Sequence, residues 1–133
     1  MRILILDDDP DICALLETAL AGKGHEVISL SDPTEFPLFN NQRCPCEPGD
    51  ICTDVLIADI VMPKIGGIEF VKDLRKKGFW PLKLGNVAVM SGFLTLHYMN
   101  ELHSMGIHYF RKPFELKEIF DWLDGCRERL ETG

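Results

Sequence analysis

The sequence is short of positive charge, of long apolar runs and of a usable cysteine framework, and each shortage excludes a class of protein. Fourteen Lys and Arg stand against twenty-one Asp and Glu in 133 residues, for a net charge of −7. Such a surface repels nucleic-acid phosphates and anionic lipid, and no block of Lys or Arg offsets it, so the chain by itself is not expected to bind DNA. No stretch reaches the apolar length that spans a bilayer. The chain enters an apolar run at Arg2-Ile3-Leu4-Ile5-Leu6 without a signal-peptide pattern, so a cytoplasmic location is expected. Five cysteines are an odd number, which suits reduced thiols better than a disulfide scaffold. There is no internal repeat and no low-complexity tract.

What is present is one domain's worth of chain, residues 1–133, with an ordinary apolar share of 46%. Four short apolar runs, at 3–6, 55–58, 87–90 and 107–110, and a weaker one at 27–30, have the near-continuous character of strands buried on both faces. Amphipathic stripes lie between them. Ile12, Leu15, Leu16, Ala19 and Leu20 form one; Ile68, Val71 and Leu74 a second; Leu116, Ile119, Phe120 and Leu123 a third. A further helix is expected over residues 94–105. Asp9 and Pro10 read as an N-cap and a first-turn proline, and Gly22 and Gly106 sit where chains leave helices. This alternation predicts parallel strands joined by right-handed crossovers, with helices on both faces of the sheet. Residues 31–53 break it: Pro33, Pro37, Pro45 and Pro48 leave room for about one helical turn. The apolar stretch 79–84 reads as a loop that caps the bottom of the core or forms a docking patch.

In such sheets chemistry gathers beyond the carboxyl ends of the strands. The residues following the runs are Asp7-Asp8-Asp9, Asp59, Ser91 and Arg111-Lys112-Pro113. Clustered carboxylates need a cation or a shared proton. An all-oxygen donor set suits Mg²⁺, which keeps several waters and accepts a phosphoryl oxygen. Beside a metal, the carboxylate of Asp59 can act as a nucleophile and form an acyl phosphate. Lys112 and the Ser91 hydroxyl are then placed for the remaining phosphoryl oxygens.

Taken together, Ile3-Leu4-Ile5-Leu6-Asp7-Asp8-Asp9-Pro10, Asp59-Ile60-Val61-Met62-Pro63 with Gly66-Gly67, Val87-Ala88-Val89-Met90-Ser91-Gly92 and Tyr109-Phe110-Arg111-Lys112-Pro113-Phe114 closely resemble the receiver domain of two-component response regulators. The resemblance covers the chain except residues 31–53. It implies a flavodoxin-like, doubly wound, five-stranded parallel sheet in the order 2-1-3-4-5, with helices on both faces and the second helix short or irregular. It implies that Asp59 takes a phosphoryl group from a sensor histidine kinase or histidine phosphotransfer protein and that the domain is a phosphoacceptor, not a turnover enzyme. Asp8, Asp59 and the Val61 backbone carbonyl would ligate Mg²⁺, with Asp7 acting through water. Ser91 and Lys112 would hold the phosphoryl group, Tyr109 would turn inward as Ser91 moves, and Lys112-Pro113 would be cis. The surface that changes would carry the fourth helix (94–105), the fifth strand (107–110) and the fifth helix (from 116). That face would control a downstream protein or a fused output domain, or pair two copies.

The chain departs from the family pattern in places. Gly66 replaces an Asp, and Gly92 replaces an Ala and widens the pocket. Val61 and Phe93, two residues beyond Asp59 and Ser91, are apolar where side chains tune the attacking water, so slow self-dephosphorylation is expected. Cys44, Cys46 and Cys52 crowd the irregular segment. Three readings of them stay open: a soft-metal site with His25 as a distant fourth ligand, a redox sensor, or an inert reduced loop. His97, His103 and His108 read as surface or half-buried residues without a catalytic part. Two other functions fit parts of the chain. A degenerate receiver would bind partners without being phosphorylated, and Asp7-x-Asp9 would be the Asp-x-Asp pair of a haloacid-dehalogenase-type phosphatase, with Asp7 as nucleophile.

Overall fold

The computed structural model describes residues 1–32, 53–60 and 67–132. Among them run β1 (Arg2–Leu6), α1 (Pro10–Ala21), β2 (Glu26–Leu30), β3 (Val55–Asp59), α2 (Gly67–Lys76), α3 (Trp80–Leu84), β4 (Val87–Ser91), α4 (Leu96–Ser104), β5 (His108–Arg111) and α5 (Leu116–Thr132). The strands form one parallel sheet in the order β2-β1-β3-β4-β5, the doubly wound topology expected from the sequence. The expected short second helix, and Cys44, Cys46, Cys52, Val61 and Gly66, lie outside the described residues.

Burial explains which runs became central strands. Every residue of β3 and β4 is buried, as are four of the five in β1, while the edge strands β2 and β5 keep exposed positions. Alternate residues face two separate apolar layers. Leu4, Leu6, Leu56, Ala58, Val87 and Val89 meet α2, Phe79 and Leu102 on one side. Ile3, Ile5, Val55, Ile57, Ala88 and Met90 meet Leu16 and Leu20 of α1 and Ile119, Leu123 and Cys126 of α5 on the other.

Helix ends follow local chemistry. Asp9 caps α1 by accepting the Asp11 N–H at 2.9 Å, and Pro10 opens the first turn. Thr95 caps α4 by accepting the Tyr98 N–H at 3.1 Å, so that helix starts at Leu96 and not at residue 94. The stretch 79–84, expected as a loop, is largely a five-residue helix. Pro81 lies in its first turn and Gly85 ends it at φ 77°, a conformation that suits glycine. Phe79 is fully inside the core and Leu82 packs against it, so the stretch does cap the bottom of the sheet.

Polar groups buried at that lower end are tied to α5. Asn86 is wholly buried; its amide donates to the Cys126 carbonyl at 3.2 Å, and its Oδ1 accepts from Arg129 Nε at 2.8 Å. Arg129 also reaches the Cys126 sulfur at 3.3 Å. Burial pushes the Cys126 thiol up to about 11, against the weaker pull of Arg129, which makes it a poor nucleophile. Replacing Asn86 by Ala strands the guanidinium and a buried carbonyl, and should cost about 1–3 kcal/mol in urea unfolding.

His25 sits 3.2 Å from the N-terminal ammonium. Burial, then that ammonium and Arg127, hold its pKa below the usual histidine value. His108 is lowered too, by burial and then by Arg129, while its ring stacks on Trp122 at 5.7 Å. Both groups bind a proton more readily when the chain is unfolded. The stability they confer is complete above the unfolded histidine value of about 6.5 and declines as pH falls below it. His25→Gln should therefore flatten the fall of unfolding free energy between about pH 7.5 and 5.5, read from urea curves at each pH.

Candidate functional site

Parallel register brings the site together. Leu6 pairs with Ala58, and Asp59 with Met90, so the residue after β1 lies beside the last residue of β3. Ser91 pairs with Arg111, and the Lys112 N–H donates to the Ser91 carbonyl at 2.7 Å, fixing the start of the β5–α5 turn. The Lys112–Pro113 bond is cis.

Asp7, Asp8 and Asp59 each offer an oxygen within 4.8 Å of the others. Asp7 and Asp59 are buried, Asp59 less completely, and Asp8 is exposed. Both Asp7 oxygens are engaged. Oδ1 accepts the Asp9 N–H at 2.9 Å, and Oδ2 accepts from Lys112 Nζ at 2.8 Å. The same ammonium donates to Asp59 Oδ2 at 3.2 Å. Burial lowers the Lys112 pKa, but the hydrogen bond to Asp7 and the charges of Asp59 and Asp7 outweigh it, and the net shift is upward. The Lys112 ammonium thus contacts two carboxylates, Asp7 and Asp59, of a cluster of three. The donor set is hard oxygen with an excess of negative charge, which fits a small divalent cation such as Mg²⁺.

The remaining candidates are nearby but not assembled onto Asp59. The Ser91 hydroxyl is turned into its own loop, donating to the Phe93 carbonyl at 2.8 Å and accepting the Phe93 N–H at 3.0 Å. Tyr109 is 38% exposed and lies against His108 on the β5 edge. Phe93, whose backbone holds the Ser91 hydroxyl, is 77% exposed. Asp9 is committed to capping α1. His97 and His103 are exposed on α4, and His108 packs with the rings of Phe110 and Trp122.

One neighbour escaped the sequence reading. The Cys13 thiol donates to the Asp7 carbonyl at 3.2 Å, bracing the strand end from one turn into α1. Burial and then the Asp7 charge raise its pKa. Nothing in the sequence marks a cysteine six residues after an aspartate as its partner. The double use of Lys112, on Asp7 as well as Asp59, was equally invisible, because it depends on which strands are adjacent.

This chain matches the family model for the response regulator receiver domain over residues 3–124. It belongs to that family, the receiver domain of two-component response regulators, a phosphoacceptor signalling domain. It is 33% identical over 118 residues to the uncharacterized transcriptional regulatory protein YrkP of Bacillus subtilis, covering 89% of this chain and 46% of that protein. It is 32% identical over 138 residues to the nisin biosynthesis regulatory protein NisR of Lactococcus lactis, covering 99% and 52%. The chain therefore spans about half the length of these relatives. Among solved structures, the N-terminal domain of an uncharacterized protein from Wolinella succinogenes superposes with a TM-score of 0.79 at 31% identity, covering 100% of this chain and 99% of that one. The receiver domain of the Francisella response regulator 1452 gives 0.76 at 24% identity, covering 96% and 97%, a likeness of fold. No helix among the described residues is long and apolar enough to cross a membrane.

The charge imbalance predicts a stability effect. Lys112→Met removes the ammonium that the buried carboxylates of Asp7 and Asp59 share. In chelator-treated buffer this should cost up to about 3 kcal/mol by calorimetry, and Asp59→Asn in the same chain should recover much of the loss.

Proposed function

We propose that the domain is a phosphorylation-activated switch in which Asp59 accepts a phosphoryl group from a phosphohistidine on a sensor kinase or phosphotransfer protein. The observation that carries this is the cluster of Asp7, Asp8 and Asp59 with the Lys112 ammonium bonded to Asp7 and Asp59. Asp59 is the carboxylate suited to attack. Asp7 has no exposed side-chain surface and both oxygens bonded, whereas Asp59 keeps an accessible edge. That difference also disfavours the phosphatase reading, which needs Asp7 as nucleophile.

Asp8 and Asp59, with the Val61 carbonyl and Asp7 through water, would hold Mg²⁺, which supplies charge neutralisation for phosphoryl transfer. In the transfer the phosphorus–nitrogen bond of the donor breaks and a bond to an Asp59 oxygen forms. Lys112, already within reach of Asp59, then neutralises a phosphoryl oxygen. Ser91 must exchange its two bonds to Phe93 for one to the phosphoryl group. That exchange loosens the β4–α4 loop and gives Tyr109 room to turn from solvent toward α4. The face of α4, β5 and α5 is thereby altered for an output domain, a downstream protein or a second copy. Residues 1–133 act as a single receiver unit, whose net charge of −7 does not suit direct contact with DNA.

Incubation with Mg²⁺ and acetyl phosphate should add one phosphoryl group by intact mass, and Asp59→Asn should abolish it. Absence of the adduct here and with a competent kinase would leave the degenerate-receiver reading in its place. The bound phosphoryl group should be long-lived, since neither Val61 nor Phe93 can orient water by hydrogen bonding. Val61→Asn with Phe93→Glu should shorten its half-life several-fold, followed by loss of the added mass, and an unchanged half-life would reject that role.

A further inference from the structure

The site leaves one feature of the molecule unused. Five of the fourteen basic residues, but only one of the twenty-one acidic ones, fall between residues 72 and 83. Lys77 is paired with Asp73 at 2.8 Å, and Lys72 with Glu101. Arg75, Lys76 and Lys83 are exposed and have no carboxylate partner among the described residues. They surround the junction of α2 and α3, at the opposite end of the strands from Asp59. In a chain of charge −7, this is a local reversal of sign.

A cavity of about 260 Å³ opens within that basic zone, lined by Arg75, Gly78, Phe79, Leu82, Lys83 and Met105. Its apolar wall is anchored in the core, because Phe79 is buried and Leu82 and Met105 pack on the same layer. Lys83 stands at its rim, with Nζ 3.9 Å from where a side chain on Gly78 would begin. Gly78, on the same lining, has φ +74°, a backbone conformation that residues with side chains rarely adopt. The volume lies below the roughly 300–1,000 Å³ of pockets for drug-sized ligands. It suits one large apolar side chain, and the cations around it suit flanking carboxylates.

We infer that this pocket docks an acidic peptide segment of a partner protein, with one bulky apolar residue seated against Phe79, Leu82 and Met105 and its acidic neighbours on Arg75, Lys76 and Lys83. Charge complementarity selects an anionic partner, and the single-side-chain cavity selects a peptide over a nucleic acid, which has no apolar side chain to seat. Lying at the far end of the sheet, the pocket is available whether or not Asp59 carries a phosphoryl group. A partner held there stays tethered through the switch.

The test titrates the ¹⁵N-labelled 133-residue protein with the capped peptide Glu-Glu-Leu-Phe-Glu-Glu. Saturable amide shifts centred on Gly78, Leu82, Lys83 and Met105 are expected. Arg75→Glu with Lys83→Glu should weaken binding at least tenfold while acetyl-phosphate labelling of Asp59 stays unchanged. Should that pair of substitutions disturb the native spectrum, Lys83→Gln should still weaken binding about threefold. Shifts centred elsewhere, undiminished binding after charge reversal, equal binding of a Glu-Glu-Ala-Ala-Glu-Glu peptide, or equal binding of a single-stranded oligonucleotide of the same charge would each overturn the inference.

Discussion

Three carboxylates with oxygens inside 4.8 Å of one another repel, and the fold holds them there because the strands leave no alternative. Slipping β1 against β3 by one residue would turn Ile3 and Ile5 into the layer that belongs to Leu4 and Leu6, so the apolar layers fix the register that sets Asp7 beside Asp59. Hydrophobic packing thereby sustains an electrostatic arrangement that solvent would disperse. Lys112 relieves part of the repulsion, and a divalent cation would relieve the rest. The cluster is stable enough to exist and charged enough to react.

Much of this was legible in the sequence because it depends on period and position. Near-continuous apolar runs marked β1, β3 and β4 correctly to within a residue, since burial on both faces leaves no polar position. The acids and Lys112 could be placed at one edge because parallel strands all finish on the same side. Asp9 was recognisable as a cap from Pro10 alone. The edge strand β2 was fainter, because a strand buried less completely carries a weaker pattern.

Other features were hidden because they arise from contacts distant in the chain. The tie between Asn86 and Arg129 joins residues 43 apart, and neither is unusual where it stands. The α3 helix was mistaken for a loop because its five residues are too few to show a period, and its proline resembles punctuation. The Ser91 hydroxyl faces Phe93 and not Asp59, an orientation no sequence pattern encodes. The basic zone around α3 could have been counted, but only the fold shows that its charges enclose an apolar cavity.

The bond from Arg129 to Asn86 also has a mechanical meaning. It fastens the last turns of α5 to the base of β4, the strand whose other end carries Ser91. Ile119, Leu123 and Cys126 also bury one face of this seventeen-residue helix against the sheet, so α5 is held by apolar packing along its length and by a polar tie at its last turn.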